Sequence, residues 1–215
     1  RAELERASGV RVLYHGADMT RGEEIADMVA FANDAFGRLD ILVNNAGIQF
    51  VGPVDEYPEE KWDALIAVIL SSTFHATKAA IPIMKGQGRG RIVNIASAHG
   101  LVASAFKAPY VAAKFGVVGF TKACAVELAR TGITVNCICP GYVKTPLIEA
   151  QVVDQAKARG IPEDRVIEDV ILAAQPNKTF VQYGHLAGQL LYLVSDQGAS
   201  ATGGSFVIDG GWTAQ

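Results

Sequence analysis

Two spacings of apolar residues alternate along this 215-residue chain. Short Val/Ile-rich runs close on Gly, Asn or Asp, and between them lie stretches whose apolar positions recur every three or four residues. The first spacing predicts strands and the second helices. Five strands are predicted: VRVLYHGAD, LDILVNNAG, GRIVNIAS, GITVNCICPG and GSFVIDGG. Helices are predicted near 21–36, 59–85, 109–131 and 185–196. Gly37, Gly90 and Gly132 each fall shortly before a strand, where a helix-stopping residue belongs. Strands of near-continuous Val/Ile character are buried on both faces, so the alternation predicts an α/β fold built on a parallel sheet.

One stretch breaks the rhythm. Residues 145–177 read as two short amphipathic helices, TPLIEAQVVDQAKAR and PEDRVIEDVILAAQ, separated by Gly160-Ile161-Pro162. An insertion there is either a lid over a site or a packed surface element. The start of the chain departs from a nucleotide-binding pattern too. Such a sheet opens with a strand, a glycine-rich turn and a helix whose N-terminus takes a pyrophosphate. Here RAELERAS reads as the end of a helix, so about one βαβ unit is expected to be absent from an otherwise single domain, 1–215.

Composition narrows the class. Half the residues are apolar, 19% are charged and the net charge is −3, which gives no support for a nucleic-acid partner. No uncharged apolar run approaches a membrane span. Cys124, Cys137 and Cys139 sit in apolar surroundings, and the alternation in ITVNCIC puts the last two on one face of a strand. Core packing suits them better than a metal, and reduced thiols predict a cytoplasmic setting.

The candidate chemistry lies in RIVNIASAHG and AFKAPYVAAKFGVVGFTKA. Tyr110 and Lys114 are four residues apart, on one face of a helix, and Ser97 lies thirteen residues before the tyrosine. An ammonium beside a phenol favours phenolate and brings its pKa, ordinarily about 10, toward the working pH. Ser97 can then hold an alcohol oxygen while Tyr110 exchanges its proton. Alone, Tyr-x-x-x-Lys would be an ordinary amphipathic helix.

Its company changes that. Asn44-Asn45-Ala46-Gly47 follows one strand, Ser97 the next, then come Tyr110 and Lys114, and Pro140-Gly141 follows a further strand. In this order the motifs resemble the short-chain dehydrogenase/reductases over essentially the whole chain. The resemblance implies a Rossmann-like, doubly wound parallel sheet with helices on both faces. It implies catalysis by Ser97, Tyr110 and Lys114, with Asp18, Asn45, Ala46, Gly47, Pro140, Gly141, Val143 and Thr145 beside the cofactor. Within the family the segments NNAGIQF, IASAHGLVAS, ICPGYVKTPL and IDGGWTAQ are most similar to members that use NAD and a small 3-hydroxy acid. Those members imply Gln49, His99, Lys107, Gln151 and Trp212 as substrate contacts, with Tyr142 as an aromatic wall. Lys107 and Gln49 are the right types for a small carboxylate. His99, two residues past Ser97, would point the same way on an extended segment. Gln151 would join only on closure of the 145–177 lid.

Two departures follow from the same resemblance. Counting back from Ser97, the family's relay asparagine falls on Ile69, which cannot hydrogen-bond a water. The substrate-side tryptophan of the ICPGW pattern is Tyr142. The family further implies a homotetramer paired through helices 59–85 and 109–131. A catalytically impaired member, or a reductase of acetoacetyl thioesters, are the alternatives. The residue that selects NAD over NADP normally ends the second strand, in the part expected to be absent.

Overall fold

The computed structural model describes residues 1–214, apart from the side chains of Leu147, Glu149 and Ala150. Four parallel strands, β1 (Ile41–Asn44), β2 (Gly90–Ile95), β3 (Ile133–Pro140) and β4 (Ser205–Ile208), pair in chain order. Their register sets Asn44 beside Asn94, and Asn94 beside Cys137. The strands therefore end together, and the loops leaving them gather at one edge of the sheet.

Alternation along β2 and β3 divides the core in two. Ile92, Ile133 and Val135 face α2 (Gly22–Phe36), α3 (Glu59–Gln87) and α4 (Ala108–Leu128), burying Ile25, Ala76, Ala80, Met84 and Leu128. Val93 and Ile138 face the other way, onto Leu193 of α7 (Tyr183–Val194). Helices thus cover both faces, as expected of a doubly wound sheet. Polar residues inside are paired: Asn44 donates across the strands to Asn94 at 2.8 Å, and Asn94 donates to Thr121 of α4 at 2.8 Å.

Helix α3 contains a π turn, Ile66–Ser71, with Ile69 buried within it. By length and composition α3 could cross a membrane. Here its apolar side chains Leu65, Ile69, Ala76, Ala80 and Met84 are buried in the two clusters on the sheet's α3–α4 face.

The predicted strand VRVLYHGAD is a correction. Among the described residues, positions 11–18 form no ladder and connect α1 (Ala2–Ser8) to α2. A strand exists only against a neighbour, and this segment is tied instead by Val12 N–H to Glu5 at 3.0 Å and Arg11 to the Ala35 carbonyl at 3.2 Å. The 145–177 stretch is helical as expected. It comprises α5 (Pro146–Arg159), capped by Thr145 and ended by Gly160 at φ 66°, and α6 (Glu163–Val166), which continues through the π turn Ile167–Ile171. The two pack together around Tyr142, Ala156, Val166 and Ile171.

Candidate active site

Two cavities meet at the carboxyl ends of the strands. The larger, about 530 Å³, is lined by Asn45 and Gly47 after β1, Ser97 after β2, Tyr110 and Lys114 on α4, and Pro140, Gly141, Val143 and Thr145 after β3. The smaller, about 50 Å³, is lined by Gln49, Ser97, His99, Lys107, Tyr110, Tyr142, Gln151 and Trp212. Ser97 and Tyr110 belong to both and stand at their junction.

Local structure explains each placement. Pro109 in the first turn of α4 pre-sets the helical φ, and four residues on, Lys114 follows Tyr110 on the same face. Lys114 is buried, donates from Nζ to the Ile95 carbonyl at 2.7 Å, and lies 5.6 Å from the Tyr110 ring centroid. Burial pushes its pKa down to about 8, with Cys139 and Cys137 pulling the other way. Burial raises the Tyr110 pKa, and a hydrogen bond with the Ser97 hydroxyl opposes it. The Lys114 ammonium donates to the end of β2 while remaining beside the phenol ring.

His99 corrects a second expectation. The segment after Ser97 is a 3-10 turn, Ala98–Gly100, and Ser97 Oγ caps it by accepting the His99 N–H at 3.1 Å. The two side chains still share the small cavity, through the turn and not through an extended run. His99 Nε2 lies 3.0 Å from Ser104 Oγ, and burial, followed by the Lys107 charge, pushes its pKa down to about 3, so the ring is neutral.

Lys107 is 2% exposed, far from the solvated charge its type suggests. Its Nζ donates to Tyr142 Oη at 3.2 Å, and burial, then repulsion by Arg159, lowers its pKa to about 8. Among the described residues it joins no ion pair. Trp212 stacks on Tyr142 with ring centroids 5.2 Å apart and meets His99 edge-on at 4.8 Å. Gln49 lines the small cavity, and among the described residues its buried Oε1 has no hydrogen-bond partner. Gln151 is buried and lines the cavity in this structure, so the expected closure is not needed to bring it there.

Of the remaining candidates, Asp18 does not line either cavity. It is exposed, accepting from the Thr20 N–H and hydroxyl at 2.8 Å, which lowers its pKa. Ala46 is not among the lining residues either, although both its neighbours are. Ile69 is 1% exposed and packs with Leu65, Ala96, Cys137 and Cys139, so its surroundings are apolar. Those thiols are 4.0 Å apart on one face of β3, free and buried as expected.

Sequence reasoning missed Ile95, Ala96, Ile148, Tyr183 and Leu186 in the wall of the large cavity. Tyr183 Oη donates to the Lys144 carbonyl at 3.0 Å, a contact across 39 residues that no local pattern announces. It also missed two supports. Gln175, fully buried, accepts the Tyr142 N–H, and Asp209 accepts from Gly211 and Thr213 to shape the turn that carries Trp212.

The large cleft fits a flat cofactor. A Cβ on Gly47 would meet nothing nearer than the Asn45 carbonyl at 3.9 Å, so the space beside that strand end is open. Its volume falls within the range of cofactor clefts.

Comparison with known proteins agrees with this geometry. Residues 1–156 match the family model described as short chain dehydrogenase. A D-beta-hydroxybutyrate dehydrogenase of Rhizobium meliloti (strain 1021) is 56% identical over 99% of this chain and 83% of that protein. One from Cupriavidus necator is 50% identical, covering 100% of this chain and 84% of that protein. Among solved structures, an actinorhodin polyketide ketoreductase with NADPH superposes at a TM-score of 0.93 with 36% identity, over 100% of this chain and 82% of that one. A sorbitol-6-phosphate 2-dehydrogenase from Erwinia amylovora superposes at 0.92 with 29% identity, over 98% and 83%.

Proposed function

The chain belongs to the short-chain dehydrogenase family, and from that premise we propose that it interconverts D-3-hydroxybutyrate and acetoacetate, with NAD as its nicotinamide cofactor. One observation carries the reading: Ser97 and Tyr110 stand where a cofactor-sized cleft opens into a small pocket whose buried cation, Lys107, has only a neutral partner among the described residues. A buried ammonium without a counter-ion favours an anionic ligand. The pocket therefore suits a short hydroxy acid, and the relatives named for D-beta-hydroxybutyrate support that choice.

In the oxidative direction Ser97 Oγ holds the hydroxyl oxygen and Tyr110 Oη takes its proton. Lys107, the Gln49 amide and Gln151 grip the carboxylate, while neutral His99 and Trp212 wall the carbon chain. Asn45, Gly47, Pro140, Gly141, Val143, Thr145 and Lys114 would hold the cofactor, which supplies the hydride acceptor when bound. Lys114, tied to Ile95 and beside the Tyr110 ring, supplies the positive charge that favours the phenolate. Helices α5 and α6 serve as a lid that excludes water. Exposed Trp62, Phe74 and Phe115 on α3 and α4 are taken as subunit contacts of a homotetramer. Three free thiols suit a reducing cytoplasm.

The test is NADH formation on a panel of short 3-hydroxy acids and on 3-hydroxyacyl thioesters. Turnover of D-3-hydroxybutyrate with NAD is expected. Turnover of thioesters alone would overturn the substrate assignment, and tight NADH binding without turnover of anything would favour an impaired member with Ile69 as the cause.

A further inference from the structure

We infer that the Tyr142 hydroxyl is a specificity-determining donor: with Lys107 it forms a two-point clamp on the substrate carboxylate. This rests on the hydroxy-acid reading above and extends it to a group that a tryptophan at this position would lack.

Position comes first. The Tyr142 backbone is fixed from both sides, its N–H by Gln175 and its carbonyl by the Val181 N–H at 2.9 Å. Its ring is stacked on Trp212, with 9° between the planes. Tyr142 is 6% exposed, so the hydroxyl has little freedom to move away. It lines the small cavity together with Lys107, and the two are joined by the 3.2 Å hydrogen bond.

Hydrogen-bond accounting then assigns the roles. A phenol oxygen accepts from Lys107 and still has its own proton to donate, and an ammonium carries three donors. The Lys107–Tyr142 bond uses one donor of the lysine and none of the tyrosine. Among the described residues two N–H groups and one O–H remain, and a carboxylate accepts through both oxygens. Burial raises the Tyr142 pKa far above the ordinary value, which keeps the phenol protonated and able to donate. The lysine ammonium also lies 5.1 Å from the Tyr142 ring centroid, so the aromatic face supports the cation while the hydroxyl orients it.

The experiment compares the full chain with Tyr142→Phe, which keeps the ring and its stacking. Kinetics are measured on D-3-hydroxybutyrate and on its methyl ester, which has no carboxylate. Butyrate binding in the presence of NADH is measured by calorimetry on both proteins. The KM for the acid and the Kd for butyrate are expected to rise about 10-fold or more, as for a lost hydrogen bond to a charged group. The kcat on the acid should stay within about two-fold, and kcat/KM on the ester, a neutral acceptor, should fall by a smaller factor than on the acid. Equal losses on acid and ester, or unchanged butyrate affinity, would overturn the clamp. Failure of the wild-type chain to turn over any hydroxy acid would sink the proposed activity alone, since the butyrate comparison still decides the role of Tyr142.

Discussion

Lys114 and Ile95 are joined by a 2.7 Å hydrogen bond from a buried ammonium to the carbonyl at the end of β2, two residues before Ser97. The bond makes one rigid unit of the strand end, the serine and the α4 face that carries Tyr110. Tyr110→Phe should therefore leave the fold and cofactor binding intact while removing the proton acceptor. The expected loss in kcat is about 10²–10⁴-fold, read from NADH formation alongside NADH affinity. Near-normal turnover would remove Tyr110 from the mechanism.

The lysines set opposite pH responses for binding and stability. Lys107 and Lys114 titrate near 8 in the folded protein against an ordinary 10.5, mainly because burial disfavours their charge. Between those values the unfolded chain binds more protons, so stability should rise as pH climbs from about 8 to 10. Over the same range Lys107 loses the charge that holds a carboxylate, so KM for the hydroxy acid should rise. Thermal melts and KM profiles between pH 7 and 10 check both, and a melting temperature or a KM that falls over this range would refute the account.

His99 works from the acid side. Its folded pKa is near 3 and its ordinary value 6.5, so the unfolded state alone gains a proton between them. Stability should fall as pH drops below about 6.5, with the loss complete near 3. His99→Gln should flatten that part of the melting-temperature profile.

Ile69→Asn tests the altered relay. If proton transfer behind Lys114 limits turnover, kcat should rise severalfold. The same substitution places an amide among Leu65, Ala96 and Cys137, at a cost of about 1–3 kcal/mol if its hydrogen bonds go unmade. Faster turnover with a lower melting temperature is the expected pair of results; a lower melting temperature with unchanged kcat would show that the relay is not limiting.

Asp209→Ala should loosen the C-terminal turn. The carboxylate accepts from Gly211 N–H at 2.9 Å and from the Thr213 N–H and hydroxyl at 2.7 Å. Without it Trp212 should leave its stack on Tyr142, seen as a red shift in fluorescence, and KM should rise more than kcat falls.

Much of this was legible in the sequence because periodicity reports burial. The four paired strands, the long helices and the position of Tyr110 over Lys114 all follow from local spacing. VRVLYHGAD failed because the pattern encodes a preference for extension, whereas a strand also requires a partner. His99 was placed correctly for the wrong reason, since a serine cap turned the chain where extension was expected. Spacing gave the proximity of Lys114 to Tyr110 but not its acceptor, the Ile95 carbonyl. Gln175 and Asp209 escaped notice because they act on the backbones of distant residues.

The π turn at Ile66–Ser71 has one more consequence. Leu65 and Met84, both buried, are nineteen residues apart, which on a regular helix of roughly 100° per residue leaves them about 100° out of line. The wider turn absorbs one residue and brings them back onto a single stripe. The helix is thus phased like a vernier, its upper part set to the catalytic cluster and its lower part to the distal core. Deleting one residue between 66 and 71 would preserve a helix yet turn one end out of phase with the other, so the active site and the remote core cannot both be satisfied without that extra residue.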